Sequence, residues 1–394
     1  MKINKWTLGL AAAGLATLPA TGVAEEAKAP VLTLLTPTTL YGYVNTSAEW
    51  NPGTGNEHVP HFSFNKGKQD GFNLDVVKVG IEKALDDSQW SAGYRAELLF
   101  GPDANHFATS SSGEATSDFA IKNAYVALRA PVGNGIDFKM GVWDTIIGYE
   151  SFDAGSNPNY TRSYGYTIEP TTHTGLLATY QVCKSLSLSG GIANTLGPKI
   201  NERANPPKTE THKTYLVSAA LTAPDDWGFL SGSSLYAGGI NGFNQNSSVG
   251  GNTQGNLYVG ATVNTPCKNL KVGASYDYLG TTDGGTDQVH ASAIAGYASF
   301  QASEKLSLHA RGEFASTDTG MFVTGGSTSS TGSDSKVFAA TATLQYDLWK
   351  NVLSRLEVRW DHLDDDGQGY GGTDGSSSEK EDYFTVALNV IYKF

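Results

Sequence analysis

After its first 24 residues the sequence has no apolar run of the roughly 18 residues that a membrane helix needs. Cysteine is nearly missing: Cys183 in "QVCKSL" and Cys267 in "TPCKNL" are the two present. The C-x-x-C, H-E-x-x-H and phosphate-loop patterns are absent, and so is the G-x-S-x-G elbow. The eight histidines (His58, His61, His106, His173, His212, His290, His309 and His362) are scattered along the chain. These gaps point to no catalytic residue, no cofactor and no metal, so an enzyme is not expected. Charge is sparse as well: Asp, Glu, Lys and Arg make up 17% of residues, and the net formal charge of −12 argues against nucleic acid as a partner. Disorder is excluded from the other side, because aromatics reach 11%.

What is abundant is glycine, at 46 residues, together with the aromatics. That mixture suits an all-β chain with tight turns. The opening "MKINKWTLGLAAAGLATLPATGVA" has the form of a secretion signal. Lys2 and Lys5 supply its basic start, Leu8 to Leu18 its apolar run, and Gly22 and Ala24 the small residues before a cut after Ala24. Residues 25–37 then form a short periplasmic segment. An exported chain without a membrane helix can still be a membrane protein, because a β-barrel hides its apolar surface in every second residue.

That period of two is plain at the C-terminus, in "YFTVALNVIYKF". Phe384, Val386, Leu388, Val390, Tyr392 and Phe394 fall on one face, and Tyr383, Thr385, Ala387, Asn389, Ile391 and Lys393 on the other. "LSLHARGEF", "RLEVRWDH", "LKVGASYDY" and "WSAGYRAELLF" repeat the pattern. Reading every such run places sixteen strands near 38–51, 70–85, 90–101, 119–131, 135–147, 174–182, 186–196, 213–223, 233–243, 255–265, 270–280, 289–303, 306–317, 336–347, 353–364 and 383–394, the first two alternating less cleanly. The connections run long, short, long, short. The short ones include "PVGN", "VCKS" and "ASEK"; the long ones, such as "TDTGMFVTGGSTSSTGSDS", are rich in Gly, Ser and Asp, and "PDDWGFLSG" is one overlong turn.

A soluble sandwich has no reason to gather its long loops at one end. An outer-membrane barrel does, with short periplasmic turns and long extracellular loops. The expected fold is therefore a transmembrane antiparallel β-barrel of about sixteen strands over 38–394, closed so that no edge is left open. Its apolar face meets outer-membrane lipid. Aromatics near strand ends (Tyr43, Trp90, Phe100, Tyr258, Tyr278, Trp349 and Tyr383) suit the interfacial girdles. Cys183 and Cys267 lie in turns four strands apart, about 20 Å at a strand spacing of about 4.8 Å, too far for a disulfide.

The polar face must then line the interior. It carries Arg95, Glu97, Asp137, Lys139, Lys271, Asp277, Arg311, Glu313, Arg355, Glu357, Arg359 and Asp361. Burying that many charges without water costs several kcal/mol per ion, so a water-filled channel is expected. Opposite charges on neighbouring strands also stabilise a sheet, so the channel rests on the polar face as a whole rather than on any single residue.

The longest connection is the third on the outer side, residues 148–173. Its aromatics are Tyr149, Phe152, Tyr160, Tyr164 and Tyr166, its charges Glu150, Asp153, Arg162 and Glu169, and it is pierced by Pro158 and Pro170. A loop inside a lumen needs rings to pack on the wall and polar tips to face water. The acidic "DHLDDDGQGYGGTDG" tempts a calcium reading, but it lacks the first acid of an EF-hand loop and has Thr373 where the bidentate Glu belongs.

"DGFNL" at 70–74, "LLFGPDAN" at 98–105 and above all "NPNYTRSYGYTIEPTTHTG" at 157–175 resemble the OmpL-like β-barrel porins of Gram-negative bacteria. The resemblance is densest from 70 to 180 and runs more weakly to Phe394, whose terminal position looks like the signal read by the barrel-assembly machinery. It implies an outer-membrane barrel with a channel function, and it carries over no substrate and no catalytic residue. In general porins the third extracellular loop folds inward and narrows the pore, which makes Glu150, Asp153, Tyr160, Arg162, Tyr164 and Glu169 the candidate constriction. The expected function is passive diffusion of small hydrophilic solutes or ions, with a mild cation preference from the acid excess, and a homotrimer by analogy. A structural or adhesive barrel without an open pore, or a lipid-modifying barrel enzyme, is the alternative.

Overall fold

Sixteen antiparallel strands form one closed barrel: β1 (Thr39–Trp50), β2 (Gly71–Lys83), β3 (Ser91–Phe100), β4 (Phe119–Ala130), β5 (Ile136–Asp144), β6 (Thr172–Cys183), β7 (Leu186–Ala193), β8 (Thr214–Thr222), β9 (Ser234–Phe243), β10 (Thr253–Asn264), β11 (Leu270–Thr282), β12 (Gln288–Gln301), β13 (Leu306–Thr317), β14 (Ser335–Trp349), β15 (Val352–Asp364) and β16 (Asp382–Lys393). The computed structural model describes residues 38–53, 55–60, 66–107, 109, 118–204, 210–243, 253–282, 288–318, 321–323, 335–364, 369–373 and 380–394. The signal sequence and the segment at 25–37 lie outside the described residues, as does much of the acidic stretch after Asp364.

Each strand pairs with its sequence neighbours, and β1 pairs with β16 from Tyr43 opposite Lys393 to Trp50 opposite Val386. The last residue completes the seam: Phe394 donates its N–H to the Gly42 carbonyl at 3.0 Å and accepts from Gly42 N at 3.1 Å. Closure pairs every strand on both sides, so no open edge remains.

Burial is inside-out relative to a soluble protein. On β13, Leu308, Ala310 and Gly312 face outward while Ser307, His309, Arg311 and Glu313 are buried. On β16, Phe384, Leu388, Val390 and Tyr392 are exposed while Thr385, Ala387 and Asn389 are buried. An exposed apolar band of this kind is what a membrane barrel turns to hydrocarbon rather than to water. Trp90 and Trp349 stand out from the wall as expected of girdle residues, but Tyr43, Tyr258 and Tyr383 correct that expectation: all three are buried in the lumen. Their hydroxyls give the reason for Tyr43 and Tyr383, which donate to Asp153 and Asn56.

Of four register shifts between described strands, two lie within the first four strands and break the alternation. Asn45 pairs with Val76 but Thr46 with Leu74, so Asp75 is an extra residue on β2. Glu97 pairs with Asn123 but Leu98 with Ile121, so Lys122 is an extra residue on β4. Each bulge flips the side-chain parity beyond it and buries two successive residues, Asp75 with Val76 and Lys122 with Asn123. The imperfect periodicity of the second strand is therefore a structural feature.

The short connections are at the end where β1 starts and β16 finishes, and the long ones at the opposite end. Cys183 closes β6 and Cys267 lies in the β10–β11 turn; both are free and exposed. The overlong turn between β8 and β9 contains a single 3-10 turn, Gly228–Leu230. Among the described residues two short α-helices occur in the long loops: α1 (Pro102–Phe107) in the second and α2 (Tyr164–Ile168) in the third.

Candidate functional site: the third loop inside the lumen

The third outer loop runs from 145 to 171, because Thr172 and His173 already belong to β6. Its neck is closed by Thr145 N–H donating to Thr171 O at 2.9 Å. Inside it, Asn157 and Ser151 bond reciprocally: Ser151 N to Asn157 Oδ1 at 2.9 Å, and Asn157 Nδ2 to Ser151 O at 2.7 Å. Ser163 caps α2 by accepting from Tyr166 N at 3.2 Å. Arg162 sits at the centre and donates to the carbonyls of Ser151 (2.8 Å), Tyr160 (2.5 Å) and Phe152 (2.5 Å). An irregular loop has no ladder to satisfy its backbone, and these side chains replace one.

The wall formed by β13, β14 and β15 grips the loop backbone from one side. Arg311 donates to Thr161 O at 2.7 Å and to Glu150 Oε1 at 2.8 Å. Arg359 donates to Arg162 O at 2.6 Å, and Arg355 to Asn157 O at 2.6 Å and Ala154 O at 2.9 Å. The carboxylates do the converse. Glu357 accepts from Tyr160 N at 2.6 Å and Thr161 N at 2.9 Å, and Glu313 from Tyr164 N at 2.7 Å. Asp361 accepts from the Tyr164 hydroxyl at 2.8 Å, under a ring that faces the Arg359 guanidinium at 5.1 Å. Guanidiniums take carbonyls and carboxylates take N–H groups, so wall and loop satisfy each other in a region without a ladder.

A neighbouring stretch of wall, β1 to β4, reached from β15 across β16, holds the loop by its side chains. Asp153 accepts from the Tyr43 hydroxyl at 2.8 Å and from Lys78 at 2.9 Å, with Lys122 at 3.7 Å. Burial pushes the Asp153 carboxyl up, but Lys78 and Lys122 outweigh it and hold it at about 2. The Tyr160 hydroxyl donates to Glu49 at 2.8 Å. Both bulge residues lie here: Asp75 within 3.3 Å of Tyr160 and Lys122 between Asp144 and Glu97.

Glu169 makes a different contact. Its carboxyl lies within hydrogen-bonding reach of the Asp277 carboxyl on β11, and it is pushed well above the usual carboxylate range by burial first and Asp277 second. The two groups are held in place by close backbone. A Cβ at Gly148, where φ is +117°, would lie 2.3 Å from Glu169 Oε2, and one at Gly165 would lie 2.3 Å from Asp277 Oδ2.

Three apolar clusters complete the packing. Ile146 and Ile147 join Trp143, Leu177, Leu216, Tyr236 and Tyr258 against β5 to β10. Phe152 meets Phe107 of α1 at 4.8 Å. Tyr164 and Ile168 join Val59, Phe322 and Tyr370 from three other outer loops.

The structure therefore divides the residues expected in the pore wall. Glu97, Arg311, Glu313, Arg355, Glu357 and Arg359 all point inward, but each is buried in ion pairs or loop contacts rather than lapped by water. The loop occupies the space that water was expected to fill at this height. Arg95 and Asp137 keep about a quarter of their side-chain surface, at 28% and 26%, and Lys139 lies 5.1 Å from the Tyr125 ring. Asp137 is paired with Arg129 at 2.6 Å. Of the candidate constriction residues, Glu150, Asp153, Tyr160, Arg162, Tyr164 and Glu169 all lie in the loop within the lumen. Sequence reasoning missed Lys78, Lys122 and Asp75; their signal was the broken alternation on β2 and β4.

The description "Putative beta-barrel porin-2, OmpL-like" fits residues 37–394, which include every strand. No curated protein matches the chain. Among solved structures it is similar to the anion-selective porin from Comamonas acidovorans, with a TM-score of 0.60, 12% identity and 91% of this chain covering 99% of that one. It is similar as well to the outer-membrane channel DcaP of Acinetobacter baumannii, with a TM-score of 0.58, 13% identity and 91% of this chain covering 97% of that one. OmpF of Salmonella typhi gives a TM-score of 0.52 at 16% identity, 91% of this chain covering 97% of that one. The family description points to a channel-forming porin, the neighbours share its fold, and one of them, OmpT of Vibrio cholerae, is solved in a trimer form. With all sixteen strands inside the matched span and the lumen built around an inward third loop, the chain belongs to the OmpL-like β-barrel porins, channels of the Gram-negative outer membrane.

Proposed function

We propose that the third loop is the constriction of a diffusion channel for small hydrophilic solutes or ions. The observation that carries this is the double grip on the loop: backbone bonds to Arg311, Arg355, Glu357 and Arg359 on one side, and Asp153 bonded to Tyr43 and Lys78 on the other. A loop held on two walls sets the width of what passes beside it. Arg95 and Asp137, each with about a quarter of its side-chain surface open, and Lys139 are the candidate filter charges, on β3 and β5.

The cation preference expected from the loop's acids has little to rest on. Glu150 faces Arg311 at 2.8 Å, Asp153 faces Lys78 at 2.9 Å, and Glu169 shares its charge problem with Asp277. The mature chain is read as the barrel at 38–394 after a signal at 1–24 is removed, with Phe394 presented to the assembly machinery, no catalytic activity and a homotrimeric assembly in outer-membrane lipid.

The test is single-channel conductance of the refolded protein in a planar bilayer, with and without residues 150–170. Deletion is expected to raise the step size several-fold. An unchanged step would place the pore elsewhere. A barrel without an open pore is the second reading, favoured by the cluster in which Val59, Phe322 and Tyr370 cover Tyr164; the absence of any conductance steps would support it.

A further inference from the structure

Below the third loop the periplasmic end of the lumen holds a cavity of about 640 Å³. Its roof is the loop segment Gly155–Pro158, and its walls are the periplasmic ends of β12 to β16. Four cationic side chains line it, Lys305, Lys350, Arg355 and Lys393, against one carboxylate, Asp347. Glu304 stands in the same turn as Lys305 but is exposed and outside the lining.

Arg355 and Lys305 differ from other cations of the lumen. Arg311, Arg359, Lys78 and Lys122 are each matched by carboxylates within 3.1 Å. Arg355 instead donates to Asn157 O at 2.6 Å, Ala154 O at 2.9 Å and Gln345 Oε1 at 3.3 Å, all neutral oxygens. Lys393 has Gly155 O at 3.0 Å among its contacts, and Lys305 donates to Leu348 O at 3.3 Å. Carbonyl dipoles orient a cation without cancelling it. A concave site with one excess sign of charge and low-dielectric walls concentrates the opposite ion.

We propose that this vestibule is a binding site for small multivalent organic anions entering from the periplasmic side. The chemistry sets the class. Arg355 has its donors committed to the roof, so it contributes charge rather than a bidentate bond. Lys305, Lys350 and Lys393 are flexible point charges spread around the rim, which suit a molecule with two or three separated anionic groups better than one compact anion. The volume admits such a molecule with part of its hydration shell. The site rests on the porin reading only for how the anion travels onward.

The experiment measures citrate binding by calorimetry to the full-length protein in detergent, with inorganic phosphate and acetate in separate arms. The same preparation is then placed in a bilayer with citrate added to either side. Citrate is expected to bind at least about tenfold more tightly than acetate, and to reduce current from the periplasmic side at lower concentration than from the outer side. K305Q/K350Q, which leaves Lys393 at the barrel seam untouched, should lower citrate affinity about tenfold and abolish the sidedness. Phosphate binding as tightly as citrate would overturn the multivalent-organic preference. Equal citrate affinity in wild type and variant would overturn the site. Binding without any conductance would leave the site standing and remove the porin reading, while conductance without binding would do the reverse.

Discussion

Two stretches of the same barrel wall carry the same residue types and use them differently. On β3 to β5, Arg95, Asp137 and Lys139 keep part of their surface open and pair with near neighbours such as Glu97 and Arg129. On β13 to β15, Arg311, Arg355 and Arg359 are buried and donate to the carbonyls of the third loop. Both stretches alternate polar and apolar residues. What separates them is which one the loop lies against, so a lumen charge becomes either a filter element or a structural clamp according to its neighbour in space.

The sharpest way to break that difference is Arg311→Ala set beside Arg95→Ala. Removing Arg311 takes the ion-pair partner from the buried Glu150 and leaves Glu313 with Arg359 at 3.7 Å, a loss of about 3–5 kcal/mol in the hold on the loop. The expected result is rapid cleavage of the loop by protease and noisy, enlarged conductance. Glu357→Gln comes next. It weakens acceptance from Tyr160 N and Thr161 N, at about 1–3 kcal/mol, and should give intermediate protease sensitivity in the same assay.

The pH response sharpens the contrast differently, because it tests a contact on a third wall, β11. Glu169 has its carboxyl raised by burial and by Asp277, with Glu150, Tyr166 and Tyr258 also facing it. The folded loop therefore favours the protonated form. Its hold is greatest below the ordinary carboxylate range and is lost as pH climbs from there through the raised value. Current noise should grow with rising pH in wild type, and Glu169→Gln should flatten that trend; an unchanged trend in the variant would show that this pair does not control the loop.

Smaller effects follow. Tyr164→Phe removes one bond to Asp361, about 1 kcal/mol, readable as a modest gain in protease sensitivity. Arg95→Ala on the open wall should cost under about 1 kcal/mol and leave the loop protected, while shifting the reversal potential in a salt gradient. A loop loosened equally by Arg95→Ala and Arg311→Ala would erase the distinction between the two walls.

Much of this was legible along the chain. The strands near 306–317, 353–364 and 383–394 show clean alternation, and the structure places them at Leu306–Thr317, Val352–Asp364 and Asp382–Lys393. Parity alone assigned Arg311, Glu313, Arg355 and Glu357 to the interior. It failed at Asp75 and Lys122, since an inserted residue changes which face every later side chain takes. The girdle reading failed for Tyr43, Tyr258 and Tyr383, because a tyrosine near a strand end suits either a lipid interface or a lumen with a hydrogen-bond partner.

The sequence by itself determined a closed barrel, its strand order and its inside-out faces, because a period of two and the alternation of short and long connections are local properties. It marked residues 148–173 as a loop rich in rings and charges, but not the wall on which they would rest. Only the tertiary structure decided that Arg311, Arg355 and Arg359 would clamp backbone carbonyls, that Asp153 would meet Lys78 and Lys122, and that Lys305, Lys350, Arg355 and Lys393 would share one cavity. Those meetings join residues far apart in sequence, and their energies depend on which partner removes the water from each charge.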